Sequence, residues 1–239
     1  PESTYGNITS GGSIANLIAV TTAREAKSIA PEQIRKSVIY FSKQTHHCVQ
    51  KAVTIAGLGN SVMRQIALDN RFRMDASALA QQVKKDKEEG LIPFFVAASC
   101  GSTDTGAVDP FDAIADIAEA HNIWFHVDGA YGGYFALVDE LKHLFKGMER
   151  SDSVVLDPHK SLFLPYGSGI VLVREGKKLY DTFECSANYL QDVISSEDEP
   201  SPADLSPELT KHFRGLRMWM PLQLYGVAPF RNCLYEKYL

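Results

Sequence analysis

Short apolar runs alternate with longer segments whose apolar residues recur at helical spacing along most of the chain. The runs typical of buried strands cover residues 37–41, 62–68, 91–98, 123–125, 153–156 and 169–174. The helical segments follow the turn at 9–16 and cover 48–58, 75–89, 110–121 and the region from 216. Strands that alternate with helices in this way form right-handed βαβ units. The pattern therefore predicts an α/β fold with a mostly parallel central sheet flanked by helices.

A glycine-rich turn precedes the first predicted helix, whose apolar side is expected to include Ile14, Leu17 and Ile18. Glycines allow the backbone to turn tightly, and the free N–H groups of a first helical turn can bind an anion. The competing interpretation is that Ser10 or Ser13 acts only as a helix N-cap, because serine is a preferred residue there. The residues alone leave both interpretations open.

With 239 residues and a formal net charge of −5, the chain is long enough for one large domain or a domain and a half. Its charge gives no reason to expect nucleic acid or an anionic membrane as a partner. No apolar run reaches the ~18 residues of a membrane span, and no signal peptide is visible. The four cysteines form no CxxC pair, which favours free thiols and a cytoplasmic location. Adjacent His46 and His47 are poorly spaced for a shared zinc ion, so no metal site is predicted.

Two polar clusters follow predicted strands, at the points where open α/β sheets bind their ligands. The string HVDGAYGG spans residues 126–133 and contains Asp128, and the string DPHK spans residues 157–160 and ends in Lys160. A lysine amine can form a Schiff base with the aldehyde of pyridoxal 5'-phosphate (PLP), and a carboxylate can pair with its pyridine nitrogen. Taken singly, Lys160 would be interpreted as a surface lysine and Asp128 as a helix cap. Together at two strand ends, they favour a PLP enzyme.

These two motifs, at this spacing, resemble those of the fold-type I, group II PLP-dependent amino-acid decarboxylases, typified by aromatic-L-amino-acid decarboxylase. The resemblance extends from about Tyr5 to the last residues. It implies a PLP-dependent transferase-like large domain over residues 1–239, with the antiparallel strand of this fold at 169–174. The family's N-terminal segment and smaller C-terminal domain are expected outside this chain. The acidic, proline-containing stretch at 186–207 is either a disordered linker or, as the resemblance implies, a mobile active-site loop.

The resemblance implies where the cofactor binds. Its phosphate is expected on Gly12 and Ser13, at the start of the first helix. Ala130 would lie under the ring, where a larger side chain would clash. Thr103 corresponds to a position near the pyridine and its acidic partner, Asp128.

The resemblance also assigns roles in the reaction. His46 corresponds to the histidine that stacks on the PLP ring and contacts the substrate carboxylate, with His47 as the competing residue. Tyr189 corresponds to the acid that a closing loop carries to Cα, usually in the neighbouring subunit. Thr210 corresponds to a residue that approaches the partner's phosphate and substrate. A homodimer with shared active sites is therefore expected.

Four further positions, three within the two motifs and one directly after DPHK, bear on the pocket. His159 and Asp157 are weaker candidates for contacts with the cofactor, and Asp157 occupies a position where the family often has asparagine. An acid near a phosphate is unfavourable unless another group bridges the two. Gly129 stands where the family usually has alanine, and Ser161 stands where it often has tryptophan.

The implied reaction is decarboxylation of an L-amino acid to CO2 and a primary amine, with an aromatic amino acid as the favoured substrate. Glutamate, diaminobutyrate and cysteine sulfinate are alternative substrates. Lys160 and Asp128 do not distinguish this reaction from aldehyde synthesis, transamination or desulfuration on the same fold. His46 and Tyr189 do, since the aldehyde-forming relatives tend to replace one of them. A truncated, non-catalytic relative is the remaining alternative.

Overall fold

A seven-stranded sheet organises the molecule in this computed structural model, which describes residues 3–184 and 200–239. The strands are β1 (Tyr5–Thr9), β2 (Ser37–Ser42), β3 (Val62–Ile66), β4 (Ile92–Ser99), β5 (Trp124–Gly129), β6 (Ser153–Leu156) and β7 (Gly169–Val173). Their order across the sheet is β1-β7-β6-β5-β4-β2-β3. The five strands at one end of this order, β6, β5, β4, β2 and β3, are parallel to one another. Strand β7 is antiparallel to both β6 and β1, so the predicted mostly parallel sheet is confirmed.

Eight α-helices flank this sheet within the described residues. They are α1 (Gly12–Ala26), α2 (His47–Val53), α3 (Ala76–Glu88), α4 (Phe111–His121), α5 (Pro158–Ser161), α6 (Gly176–Phe183), α7 (Leu216–Tyr225) and α8 (Ala228–Tyr238). The predicted helix over 48–58 divides in two, because α2 continues into a π-helical turn, Thr54–Leu58, in which Gly57 has φ +78°. The described part of the chain has no helix with the length and apolar character needed to cross a membrane.

The first helix differs in two details from its prediction. Its N-cap residue is Gly11, with no side-chain cap hydrogen bond, so the interpretation of Ser10 or Ser13 as the N-cap is wrong. Its most buried positions include Ala15, Ile18 and Ala19, whereas Ile14 and Leu17 are only partly buried. Small residues on this side allow α1 to lie close to the sheet.

Apolar side chains cover both faces of the sheet. One cluster contains residues of α1, α2 and α6, and the other contains residues of α3, α4 and α8. Successive residues of β5 alternate between them: Trp124 belongs to the α1 cluster, and Phe125 and Val127 to the opposite one. Because side chains alternate along a strand, His126 and Asp128 lie on the same face as Trp124, toward α1. This alternation directs the acidic residue of the HVDGAYGG motif to the start of α1.

Candidate active site

A cavity of about 280 Å³ lies at the carboxyl ends of β4, β5 and β6, next to the start of α1. Its wall includes nine of the eleven residues that the sequence singled out: Gly12, Ser13, His46, Thr103, Asp128, Ala130, Asp157, His159 and Lys160. Their chemical roles stay predictions, but the fold brings all nine to one place. The eleven also include Tyr189, which lies outside the described residues, and Thr210, which lines a different cavity.

The start of α1 forms a narrow backbone cradle. Gly11 has φ +155°, and the helix begins at Gly12. A Cβ atom on Gly12 would lie 2.8 Å from Asp157 Oδ2 and 3.3 Å from the Ala130 Cβ, so only glycine fits without displacement. The N–H groups of a first helical turn have no acceptor within the helix, and the helix dipole adds positive potential there. This end of the cavity therefore suits an anionic group.

Lys160 and Asp157 form an ion pair at the floor of the cavity. The Lys160 Nζ of the short helix α5 lies 3.0 Å from Oδ2 of Asp157, the N-cap residue of that helix. The Asp157 side chain is 1% exposed, and Asp157 Oδ1 has no hydrogen-bond partner, whereas the Lys160 side chain is 41% exposed. A buried carboxylate is stabilised by a nearby cation or by hydrogen-bond donors, and Lys160 supplies the cation here. The pair therefore holds the lysine ammonium group at the cavity while leaving it accessible.

Asp128 lies on the other side of the cavity and is almost fully buried. Its Oδ1 accepts a hydrogen bond from the Ala130 N–H at 3.1 Å, and its Oδ2 lies 3.4 Å from Asn16 Nδ2. Burial raises the pKa of the Asp128 carboxyl above its ordinary value, while the Ala130 N–H and the charge of Lys160 act in the opposite direction. A cationic N–H group next to Asp128 would favour its ionised form.

His46 caps the start of α2 above the cavity. Its Nδ1 accepts a hydrogen bond from the Cys48 N–H at 3.3 Å, so in the neutral ring the proton is on Nε2. Burial, followed by the neighbouring His47, lowers the pKa of His46. The His47 ring is 4.1 Å from the His46 ring between centroids, but His46 is the one that lines the cavity.

The remaining wall residues complete the shape of the site. His159 Nδ1 lies 2.6 Å from the Ser168 carbonyl oxygen and must donate to it, which leaves Nε2 facing Asp157 at 3.8 Å. Thr103 belongs to the loop that follows β4. Ala130 is buried beside the cradle and presents only a methyl group.

The departures from the family pattern at Gly129 and Ser161 each have a local reason. A Cβ on Gly129 would lie 3.0 Å from the Val155 carbonyl oxygen, which is tighter than ordinary contact. Ser161 Oγ donates a hydrogen bond to the Tyr131 carbonyl oxygen and so connects α5 to the HVDGAYGG loop. A glycine and a serine therefore suit these two positions.

Several residues around the cavity were not singled out from the sequence. Gln44, Cys48 and Tyr131 line it, and Asn16 contacts Asp128 from behind. Burial raises the pKa of the Cys48 thiol to about 12, so this group is protonated at neutral pH. Tyr131 lies inside the HVDGAYGG motif, so the motif could have identified it as a residue of the site. For Asn16, the available signal was its position one helical turn after Gly12.

Thr210 lines a separate cavity of about 650 Å³ next to β1. Lys211, in the same wall, donates hydrogen bonds to Asn7 Oδ1 at 2.7 Å and to Ser206 Oγ at 3.0 Å. The cavity that contains Lys160 therefore does not include Thr210 of the same chain.

The residues around the first cavity fit PLP. An accessible amine suits the aldehyde, a buried carboxylate suits the ring N–H, and a glycine cradle at a helix start suits the phosphate. Asp157 is the one group whose charge opposes the phosphate, and its contact with Lys160 offsets that charge. No cluster of three or more His, Cys, Asp or Glu side chains suited to a metal ion occurs in residues 3–184 and 200–239.

Comparisons with known proteins agree with this fit. Residues 2–238 match the family model described as the pyridoxal-dependent decarboxylase conserved domain. The chain is 39% identical over 235 residues to an aromatic-L-amino-acid decarboxylase of Bacillus atrophaeus, covering 98% of this chain and 48% of that protein. It is 34% identical over 221 residues to a phenylacetaldehyde synthase of Petunia hybrida, covering 90% of this chain and 44% of that protein.

A solved structure gives the same result for the fold. The crystal structure of Oryza sativa TDC with PLP and tryptamine superimposes with a TM-score of 0.90 at 31% sequence identity. The match covers 96% of this chain and 49% of the other. The chain thus spans about half the length of the relatives that it matches.

Proposed function

The chain belongs to the pyridoxal-dependent decarboxylase family, and on that premise we propose that the protein decarboxylates an L-amino acid to CO2 and a primary amine. One observation carries this proposal. An accessible lysine amine, a buried carboxylate and a glycine-lined helix start meet in one cavity at the strand ends. When bound, PLP supplies an aldehyde and an electron-accepting ring. Residues 1–239 then correspond to the large, PLP-binding domain.

Lys160 is the residue that we propose to bind the aldehyde. Its ion pair with Asp157 positions the amine at the cavity, and Asp157 Oδ2 is the nearby acceptor for a proton that the amine gives up. Gly12 and Ser13 would bind the phosphate through their backbone N–H groups. Thr103, Ala130 and His159 would shape the remaining surface around the ring.

Asp128 would hold the proton on the ring nitrogen, because an ionised and desolvated carboxylate favours the protonated form of a base beside it. His46 is neutral at neutral pH, since burial lowers its pKa. Its Nε2–H can donate a hydrogen bond to a carboxylate on the cavity side of the ring. We propose that this bond orients the substrate carboxylate that is lost.

Tyr189, which lies outside the described residues, is proposed to deliver the proton to Cα from a loop that closes on the site and excludes water. The predicted range 186–207 extends too far at its C-terminal end, because Pro202–Leu205 form a 3-10 helix whose Leu205 is buried in the α1 cluster. In air, removing the Tyr189 hydroxyl should leave CO2 formation nearly intact, because the unprotonated carbon can react with oxygen instead, which shifts the product from amine toward aldehyde. Amine formation should fall by about 10²- to 10⁴-fold, the usual contribution of a general acid. The measurement is the ratio of CO2 to amine in a Tyr189→Phe variant, with Tyr180→Phe as a matched control outside the cavity. An unchanged ratio would remove Tyr189 from the mechanism.

An aromatic amino acid is the substrate that we propose, because the Bacillus atrophaeus relative is an aromatic-L-amino-acid decarboxylase. Aldehyde synthesis is the second candidate, because one relative is a phenylacetaldehyde synthase. The presence of both His46 and Tyr189 favours the amine-forming reaction, as judged by the family pattern.

The experiment that tests the function measures both products with the full-length protein and PLP. The substrates are phenylalanine, tyrosine, tryptophan, glutamate, diaminobutyrate and cysteine sulfinate. We expect CO2 and amine in equal amounts from at least one aromatic substrate. Aldehyde with hydrogen peroxide would support the second candidate instead. Bound PLP with no product from any substrate would contradict the proposed reaction.

A homodimer with shared active sites is also proposed. Helix α7 has no buried residue in the single chain although its sequence is mostly apolar, and Trp219 on it is 59% exposed. A surface of this kind is typical of a subunit interface. Thr210 does not line the Lys160 cavity of its own chain. We therefore propose that Thr210 lies near the Lys160 cavity of the partner subunit. A cytoplasmic location stays a prediction from the absence of a CxxC pair in the sequence.

A further inference from the structure

A buried chain of polar side chains runs behind Asp128, on the side away from the cavity centre. Trp124, His126 and Asp128 point to the same face of β5, and Asn16 of α1 and Ser153 of β6 lie against them. His126, Asn16 and Ser153 are each about 1% exposed or less. Polar groups buried to this extent require partners, and each of these has them.

The contacts connect four side chains in sequence and end at the carboxylate. Trp124 Nε1 lies 2.8 Å from Ser153 Oγ, and Ser153 Oγ lies 2.8 Å from His126 Nδ1. His126 Nε2 lies 2.8 Å from Asn16 Oδ1. Asn16 Nδ2 lies 2.9 Å from the Gly12 carbonyl oxygen and 3.4 Å from Asp128 Oδ2.

The two ends of this chain fix the direction of donation. An indole N–H only donates, so Trp124 donates to Ser153 Oγ. At the other end, the Gly12 carbonyl and Asp128 both accept, so Asn16 must present its NH2 group to them and its oxygen to His126. His126 must then carry its proton on Nε2, and its Nδ1 accepts from the Ser153 hydroxyl. With a neutral His126 ring, the donor and the acceptor of each hydrogen bond in this network are therefore fixed.

His126 stays neutral in this arrangement. In the neutral ring, Nδ1 accepts from the Ser153 hydroxyl, whose oxygen accepts from Trp124. Protonation of Nδ1 would replace this bond and turn the Ser153 O–H away from the ring. Burial alone lowers the pKa of His126 to about 3. The ring also stacks on Phe95, with centroids 5.6 Å apart, which restricts its orientation.

Asn16 connects this network of hydrogen-bonded side chains to the cavity. Its single amide group contacts the Gly12 carbonyl of the cradle and the Asp128 carboxylate, at the two ends of the expected cofactor. Donation of an N–H to a carboxylate favours its ionised form and so opposes the effect of burial on Asp128. The orientation of Asn16 depends in turn on His126.

We propose that Asn16 and His126 are positioning residues that keep Asp128 ionised and fixed for the pyridine nitrogen of the cofactor. This inference rests on the proposed function, because it assumes that PLP is bound there. It adds two residues that do not touch the cofactor and act through Asp128. His126 acts as a neutral donor and not as an acid or base.

The first test is the protonation state of His126 in the cofactor-free, full-length protein. Nitrogen-15 NMR of the histidine rings should show His126 protonated on Nε2 and unchanged between pH 5 and 8. The resonance would be assigned by its loss in a His126→Gln variant. An Nδ1-protonated ring, or titration in this range, would overturn the proposed direction of donation.

The second test compares PLP dissociation constants among variants of the full-length protein. Asn16→Asp keeps the side-chain shape but replaces the N–H donor with an acceptor. His126→Phe removes the donor to Asn16, whereas His126→Gln keeps an N–H at the position of Nε2. We expect Asn16→Asp and His126→Phe to raise the dissociation constant about tenfold or more, and His126→Gln to restore most of the affinity.

Tyr40→Phe is the matched control, because the Tyr40 hydroxyl donates to buried Asp86 at 2.9 Å in the opposite core cluster. It should lower the melting temperature without changing the PLP dissociation constant. A second readout is the pH at which the bound cofactor changes its absorbance, which should shift in Asn16→Asp and His126→Phe but not in Tyr40→Phe.

The outcomes separate this inference from the proposed function. Wild-type affinity in both Asn16→Asp and His126→Phe, or equal losses in His126→Phe and His126→Gln, would overturn the positioning role. Failure of the wild-type protein to bind PLP would overturn both proposals. Binding with the expected pattern of losses, but without amine from any substrate, would overturn only the decarboxylase.

Discussion

At the residue scale, the cavity depends on where each carboxyl group finds its partners. Asp157 relies on the cation of Lys160, whereas Asp128 relies on neutral N–H donors from Ala130 and Asn16. Asp109, at the base of the loop that follows β4, has backbone partners only: the Ser99 N–H at 2.7 Å and the Met74 N–H at 2.6 Å. These different environments lead to different responses to pH.

Asp109 gives a prediction for the stability of the fold. Burial raises its pKa from an ordinary 3.8 to about 6, because its two backbone donors offset the loss of water only in part. The folded state then binds this proton more tightly than the unfolded chain does. The contribution of Asp109 to the free energy of unfolding should therefore fall as the pH rises from about 4 to above 6.

The measurement is urea unfolding of the wild-type protein and of Asp109→Asn at pH 5 and pH 7.5. The variant cannot titrate at this position, and the other groups cancel in the difference. The advantage of the wild type over the variant should be larger at pH 5 by about 1.4 kcal/mol. A difference that is equal at both pH values, or larger at pH 7.5, would contradict the raised pKa.

At the element scale, the start of α1 is the feature on which cofactor binding depends. The helix begins against Asp157 and Ala130 so closely that position 12 has no space for a side chain. The contact brings the helix start, the end of β5 and the DPHK turn together in one wall.

A Gly12→Ala variant tests this contact. Its methyl group would have to displace Asp157, and with it Lys160, from their positions at the cavity. We expect this displacement to weaken PLP binding by about 1 to 3 kcal/mol, which raises the dissociation constant about five- to 150-fold. Gly59→Ala is the control, because Gly59 has φ −61° and its nearest neighbour would be 3.8 Å from the new Cβ. Equal effects of the two substitutions on PLP binding would argue against the cradle.

The sequence predicted the elements that obey a simple pattern and missed those that depend on partners. Strands β2, β4 and β6 are apolar runs because a parallel sheet covered on both faces requires them. Strand β1 has the weakly apolar sequence YGNIT and forms only because it pairs with β7, so no local signal marked it.

The same distinction holds in the candidate site. Asp128 and Lys160 were predictable because the carboxyl ends of adjacent parallel strands must meet. The ion pair of Asp157 with Lys160 was not predicted from the sequence, although residues three apart on a helical turn can form one. The contact of Asn16 with His126 joins residues far apart in sequence, and a single sequence contains no signal for that distance.

At the scale of the whole molecule, the described chain leaves a mostly apolar surface around α7 uncovered. Phe213 and Leu224 are 76% and 69% exposed on this surface. The chain spans about half the length of the relatives that it matches.

Hybrid dimers test whether the two subunits share their sites. A Lys160→Ala chain and a Tyr189→Phe chain should each be nearly inactive in amine formation alone. If Tyr189 acts across the interface, hybrids contain one site with both residues intact. Random mixing should then restore about a quarter of the wild-type activity, because half of the dimers are hybrids with one intact site each. No restoration, with hybrids demonstrated by mass spectrometry, would favour a site closed by its own chain.

The central claim, that Lys160 binds PLP, is tested most directly by chemical trapping. The full-length protein would be loaded with PLP, reduced with borohydride and digested for peptide mapping. We expect a phosphopyridoxyl label on Lys160, at one label per chain, and its loss in Lys160→Ala. Lys178→Ala should retain the label, since Lys178 lies outside the cavity at the Trp124 ring. A label on any other lysine in the wild-type protein would contradict the account.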